Sequence, residues 1–439
     1  MSGLKTAGPI QFHFAVLLSL FLLFSCAPGK DDTEGEDRST PYVASISPDN
    51  AATGVPTSKT ITITFSKAIP PSQVTVDTDW QCSKNIQIAF DSSYSSCLPL
   101  SSNGGDNASK VFILTPNTKG EKIPSGTKFW IKISSSIKDY YDKEMDADKT
   151  SSFTTETRCS SGCSWSQVTT VGDLTARSGH SGLVFNKKMW LFGGTTGSSY
   201  FKETFNSDNG TWTSNTAPGW SGRENHVSLR FKGKMWVIGG GNSTSSYDDV
   251  WSSSTGLTWE NQNVTNGFSA RQGHAGVVFK NKMWVFGGYF INPGGGGTFL
   301  SDVYSSEDGA TWTQESNSSS WSGRYGHAAV VYDDKIWVMG GNNSSGDSKE
   351  VWYSTDGINW TQQTSSIVTW DAMKDFGAQV FDGKIWILGG NPRTNKFYTF
   401  DGTTWSGEQD ADNPLIVACQ CSGSIGLIHF KCLRNWLLT

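Results

Sequence analysis

Charge is scarce in this sequence. Of its 439 residues only 17% are Asp, Glu, Lys or Arg, and the net charge is −5 at pH 7. That excludes a basic face of the kind that tracks a nucleic-acid backbone. No cysteine occurs between 163 and 419, which removes thiolate chemistry from the middle of the chain. Long amphipathic helical patterns are missing after residue 30, and the one extended apolar run lies near the start. What is plentiful is Gly (48), Trp (19) and Phe (24), set among Ser, Thr and Asn tracts. Such a composition suits many short strands joined by turns, so the expected fold class is all-β, in two or three domains.

Lys5 precedes the apolar run Phe14-Ala-Val-Leu-Leu-Ser-Leu-Phe-Leu-Leu-Phe24. Its length fits a signal-peptide core and is too short to span a bilayer. Leu23-Phe24-Ser25-Cys26 resembles the bacterial lipobox, with Phe24 bulkier than the usual occupant. The resemblance implies cleavage before Cys26, lipidation of its thiol, and attachment at the outer membrane or cell surface. Two or more acyl chains hold lastingly where one does not. An ordinary secretory signal that contains a cysteine is the alternative. Residues 1–25 are thus read as signal peptide, and 26–40 as the lipidated Cys with a flexible hydrophilic tether. In an oxidising compartment Cys82 with Cys97, and Cys159 with Cys163, are candidate disulfides.

From 41 to 157 short alternating runs recur: Ile61-Thr-Ile-Thr-Phe65, Ile86-Gln-Ile-Ala-Phe90, Val111-Phe-Ile-Leu114 and Phe129-Trp-Ile-Lys-Ile133. Each places apolar side chains on one face, and about seven such strands predict a two-sheet sandwich. Ser47-Pro-Asp-Asn-Ala-Ala-Thr-Gly-Val-Pro56 and Ile123-Pro-Ser-Gly-Thr-Lys-Phe-Trp-Ile131 resemble the bacterial Ig-like modules of surface proteins. The resemblance implies a spacer or weak adhesive unit without chemistry of its own.

From 164 to 406 a block recurs five times: Arg-x-x-His, about ten residues, then an apolar residue, Trp, two apolar residues and Gly-Gly. It reads Arg177/His180/Trp190/Gly193, Arg223/His226/Trp236/Gly239, Arg271/His274/Trp284/Gly287 and Arg324/His327/Trp337/Gly340. The fifth copy, read as Lys374/Gly377/Trp386/Gly389, lacks both Arg and His. A second Trp follows each block at 212, 259, 312, 360 and 405. A period of roughly 50 residues suits one four-stranded propeller blade. The series resembles kelch repeats, which implies a β-propeller that binds partners on its loops. Ser164-Trp-Ser-Gln-Val168 reads as an isolated outer strand. A six-bladed ring interrupted by the C-terminus is therefore expected, with a five-bladed ring as the alternative.

Four histidines, one per repeat, are spread around such a ring and do not converge on a metal. A kelch-propeller copper oxidase needs a Cys-crosslinked Tyr, which the cysteine-free centre excludes. Ser305-Ser-Glu-Asp-Gly-Ala-Thr-Trp312 is similar to the Asp-box turn of sialidases, a structural hairpin without activity. No paired acid and base stands out, so no catalytic residue is assigned and the chain is read as a non-enzyme. The least repetitive loops run over 241–247, 289–299, 342–349 and 391–396. Of these, 289–299 is the expected partner contact, with Tyr289, Phe290, Asn292 and Phe299 as binding candidates, a disordered glycine insertion being the alternative.

The tail, 410–439, differs in character. Cys419, Cys421, His429 and Cys432, with Gly423-Ser424 and Trp436, resemble the middle of a RING-CH zinc domain. That family uses eight ligands for two zinc ions, and its opening and closing Cys-x-x-Cys pairs are missing here. The resemblance implies two half-built sites, or one zinc site from all four groups; a fusion or assembly join is an alternative origin for the tail. The expected function is a surface-anchored scaffold presenting propeller loops to a protein or glycan, without a propeller cofactor. The alternatives are a zinc-dependent ubiquitin-ligase-like protein and a glycan-active propeller enzyme.

Overall fold

The computed structural model describes residues 39–406, apart from 79–80, 95–96, 104–109, 117–124, 157–173, 187, 208–210, 216–217, 265–266, 317–319, 365–367 and 393–395, together with 409–410. Cys26, Cys159, Cys163, the 164–168 segment and the tail residues Cys419, Cys421, His429 and Cys432 lie outside the described residues. Those described are all-β, with one short 3-10 turn at Pro71–Gln73.

The first domain holds eight strands, one more than the alternation suggests. They are β1 (Val43–Ser47), β2 (Ala52–Val55), β3 (Ile61–Phe65), β4 (Ile86–Ala89), β5 (Leu100–Asn103), β6 (Val111–Pro116), β7 (Lys128–Ile133) and β8 (Lys149–Thr155). Two four-stranded sheets result, ordered β1-β3-β6-β5 and β2-β8-β7-β4. The period of two explains the packing: Ile61, Ile63 and Phe65 turn inward while Thr62 and Thr64 stay partly exposed. Ile63, Phe112 and Leu114 from one sheet share a buried cluster with Ile88, Phe129, Ile131 and Phe153 from the other. Each such side chain contributes about 1.5–3 kcal/mol by burial. A carboxylate at Ile63 would break this core. Cys82 and Cys97 are joined by a disulfide, S–S 2.08 Å, closing a loop over β4.

Five four-stranded antiparallel sheets follow. Blade one runs Ser181–Phe185, Lys188–Phe192, Thr204–Ser207 and Thr213–Ser214; blade two runs Val227–Phe231, Lys234–Ile238, Val250–Ser253 and Glu260–Asn261. Blade three is Ala275–Phe279, Lys282–Ile291, Gly297–Ser306 and Thr313–Ser316. Blade four is Ala328–Tyr332, Lys335–Met339, Val351–Ser354 and Thr361–Gln362, and blade five Gly377–Phe381, Lys384–Leu388, Lys396–Phe400 and Gln409–Asp410. First strands of successive blades adjoin, which sets the sheets radially about a channel. Four buried clusters each span two neighbouring blades, from one–two to four–five. Among the described residues no such cluster joins blade five to blade one.

The recurring tryptophan supplies much of each joint. Trp236 bonds through its indole N–H to the Phe231 carbonyl, and Trp190, Trp284, Trp337 and Trp386 repeat that bond five residues back. The ring of Trp190, Trp236 or Trp284 then lies under a turn glycine of the next blade: Gly256, Gly309 or Gly357. A Cβ on any of these glycines would overlap the indole, and each has positive φ. Glycine is required there on both counts.

Candidate functional site

The repeated polar residues come first because they are the obvious chemical candidates. Arg271 is fully buried; its guanidinium donates to the Gly287 carbonyl at 2.8 Å and to both Asp302 oxygens at 2.7 and 3.0 Å. Arg223 treats Gly239 and Asp249 in the same way, and Arg324 uses Gly340 and Glu350. Each arginine thus clamps the Gly-Gly turn to the start of its blade's third strand. The histidines face the preceding blade: His226 toward Phe192, His274 toward Ile238 and His327 toward Phe286. Burial, reinforced by the adjacent arginine charge, pushes His226 and His327 down to about 3 and His274 well below its ordinary value. They are neutral, sealed and one to a blade. Among the described residues no group of three or more His, Cys, Asp or Glu is placed to hold a metal.

Blade five corrects the repeat alignment by one position. The Met373 carbonyl accepts from Gly341 N–H at 2.9 Å, the bond that the Arg271 carbonyl accepts from Gly240. Phe376 stands against Gly340 as His274 stands against Gly239. Met373 and Phe376, not Lys374 and Gly377, therefore occupy the Arg and His positions.

That shift exposes a ring of residues at the channel mouth. Between each Arg and His equivalent sit two residues, and the second has positive φ in every blade: Gly179, Asn225, Gly273, Gly326 and Asp375. Their backbones are bonded blade to blade, Asn225 N–H to Gly179 at 2.7 Å, then Gly273 to Asn225, Gly326 to Gly273 and Asp375 to Gly326 at 2.8 Å. The first of the two pairs with the residue just after Gly-Gly: Ser178 with Thr195, Glu224 with Gly241, Gln272 with Tyr289, Tyr325 with Asn342, Lys374 with Asn391. Here, inside a fixed backbone frame, the residue after each Arg equivalent differs from blade to blade: Ser178, Glu224, Gln272, Tyr325 and Lys374.

Tyr289, Phe299 and Tyr325 form an aromatic trio with ring centroids 5.3, 5.4 and 5.8 Å apart. The Lys374 ammonium donates to the Tyr325 hydroxyl at 2.9 Å and stands 5.0 Å from its ring. Asp375, half-buried, has its pKa raised to about 6 by burial, against the pull of Lys374. Burial, and then the Asp375 charge, also raises Glu224. Cationic, acidic and aromatic groups thus share one mouth.

Three family models match the chain. The KLHDC2/KLHL20/DRC7 Kelch-repeats domain matches residues 141–288 and 253–409, together more than half the sequence. The chain belongs to the kelch-repeat family. These kelch repeats make it, at the coarse level, a protein-interaction scaffold. The bacterial Ig-like domain model matches 37–155, and the RING-variant domain model matches 406–439. A search of curated proteins finds no match.

Of the four binding candidates, the structure brings Tyr289 and Phe299 into the trio. Phe290 lies on the opposite face of the strand, and Asn292 is taken up in the hairpin tip, bonding Gly296 and Thr298. The 289–299 segment is a regular extension of the second and third strands of blade three, braced by Ser246. Sequence reasoning missed Tyr325, Lys374, Glu224 and Gln272. The signal was there: the position after each repeat Arg varies while its surroundings do not. It also missed a third aromatic per joint, Trp220, Phe268, Trp321 or Trp370, three residues before the Arg position. The Asp-box-like turn at Asp308 is a hairpin clasp, its carboxylate accepting from the Ala310 and Thr311 N–H groups.

Proposed function

We propose that the chain is an exported, lipid-anchored scaffold that takes a polypeptide ligand on the Gly-Gly mouth of its propeller. The observation that carries this reading is the contrast in one ring: the repeated Arg and His of blades two to four and the strand-two Trp are buried, while the partly exposed Tyr289, Phe299, Tyr325 and Lys374 are unique to their blades. Aromatic anchors beside a cation and carboxylates are the composition of protein-binding hot spots. The Cys82–Cys97 bond supports export, and the Leu23-Phe24-Ser25-Cys26 pattern supports the anchor. Panning a phage-displayed peptide library on the purified chain tests the binding face. Retained peptides are expected to bind a Tyr289→Ala/Tyr325→Ala variant at least tenfold more weakly; equal binding contradicts the reading. The anchor is tested by intact mass of membrane-extracted protein, where cleavage before Cys26 and added acyl mass are expected.

The RING-variant match favours a second, narrower reading in which the tail binds zinc. Cys419, Cys421, His429 and Cys432 supply four donors, enough for one tetrahedral site and half of what two zinc ions need. The donor set does not fit the family's two-zinc arrangement, so no ligase chemistry is derived from it. Zinc content per purified chain, at one or zero, decides.

A further inference from the structure

The propeller has a second end. There the turns between first and second strands lie, at 186, 232–233, 280–281, 333–334 and 382–383. Asn186, Lys232, Lys280 and Asn281 are exposed in blades one to three, yet Asp382 in blade five is only 6% exposed. The sandwich covers it. Gly126 lies so close to the Asp382–Gly383 backbone that a Cβ on it would overlap the Asp382 carbonyl carbon. Ser92 donates its hydroxyl to Asp334 at 2.5 Å, and the Lys128 ammonium stands 3.9 Å from Asp333. On the other side Gln81 approaches Gly233 of blade two. Blades two and five are three blades apart, so a body that touches both bridges the end of the channel.

These contacts come from one end of the sandwich. β7 starts there at Lys128 opposite Thr154, and Gly126 N–H bonds to the Glu156 carbonyl at 2.9 Å. The chain enters at the opposite end, where the Thr40 hydroxyl bonds to Asp146, three residues before β8 begins. The seven residues of β8 separate the two ends by about 20 Å.

We infer that the sandwich is a fixed plug: it closes the turn end of the propeller and leaves the Gly-Gly mouth as the face a ligand meets. The sealing stands on these contacts alone; that a ligand docks on the open mouth rests on the function proposed above.

Cysteine accessibility in the full chain tests the sealing without any ligand, with labelling by a maleimide read peptide by peptide in mass spectra. Asp382→Cys is expected to label at least tenfold more slowly than Asn281→Cys, the matching turn of blade three. Adding Gly126→Arg should bring the Asp382→Cys rate up to that of Asn281→Cys while the circular dichroism stays native. If Gly126→Arg does not fold, Ser92→Arg with Lys128→Glu serves the same comparison. Equal rates in the chain that retains Gly126, or a slow rate that survives undocking, overturn the inference. Neither result bears on the peptide-binding test.

Discussion

Blades two to four and blade five build the same joint from opposite materials. In the first three a buried arginine clamps the Gly-Gly turn and a neutral histidine faces the blade before it. In blade five Met373 and Phe376 fill those places, and Lys396 stands in register where Asp249, Asp302 and Glu350 stand. The backbone link across the joint is unchanged, Asp375 to Gly326 at 2.8 Å. The polar set is therefore one way of making an interblade joint, and its recurrence reports architecture. Function is to be sought where blades differ.

Acid should break the comparison most strongly. His226, His274 and His327 have folded pKa values far below their ordinary 6.5. A depressed histidine contributes stability that is present above the unfolded pKa and lost as pH falls below it. Each is expected to cost about 2 kcal/mol by pH 5, so the three together remove about 6 kcal/mol relative to pH 7. Urea unfolding at the two pH values measures this. His327→Phe, copying blade five, should remove about 2 kcal/mol of that loss.

Arg271→Met comes next. It leaves the Asp302 carboxylate buried without its partner, and about 3–5 kcal/mol should be lost in urea unfolding at pH 7. Adding Asp302→Leu should recover most of it, since a joint without ions already exists in blade five. If the double variant is no better than Arg271→Met, the two joints are not interchangeable. The smallest effect concerns Asp375, whose raised pKa has the opposite sign: its contribution is present at low pH and lost as pH rises through about 6. Asn225 holds the same position in blade two with the same φ of 55°. Asp375→Asn should therefore raise stability at pH 7.5 by about 1 kcal/mol and leave it unchanged near pH 4.

The five repeats and the strand faces were legible because burial writes a period of two into Ile61, Ile63 and Phe65, and a period near 50 into Trp and Gly-Gly. The mouth was only half legible. Tyr289 and Phe299 stand out in a non-repeating segment, but Tyr325 and Lys374 come from other blades and meet them only through the ring of backbone bonds. Blade five was misaligned by one residue because its joint keeps volume and discards polarity, and a pattern keyed on Arg and His has nothing to hold. The plug was not legible: Gly126 and Asp382 are 256 positions apart, and the Ig-like run that holds Gly126 says nothing of a propeller turn.

The claim that the repeated polar residues are sealed joints is tested most directly by histidine side-chain NMR between pH 8 and pH 5, with and without added zinc. Resonances of His226, His274 and His327, assigned by single Phe substitutions, should stay at their neutral positions throughout and ignore the metal. A titration near pH 6.5, or a shift on adding zinc, would contradict it.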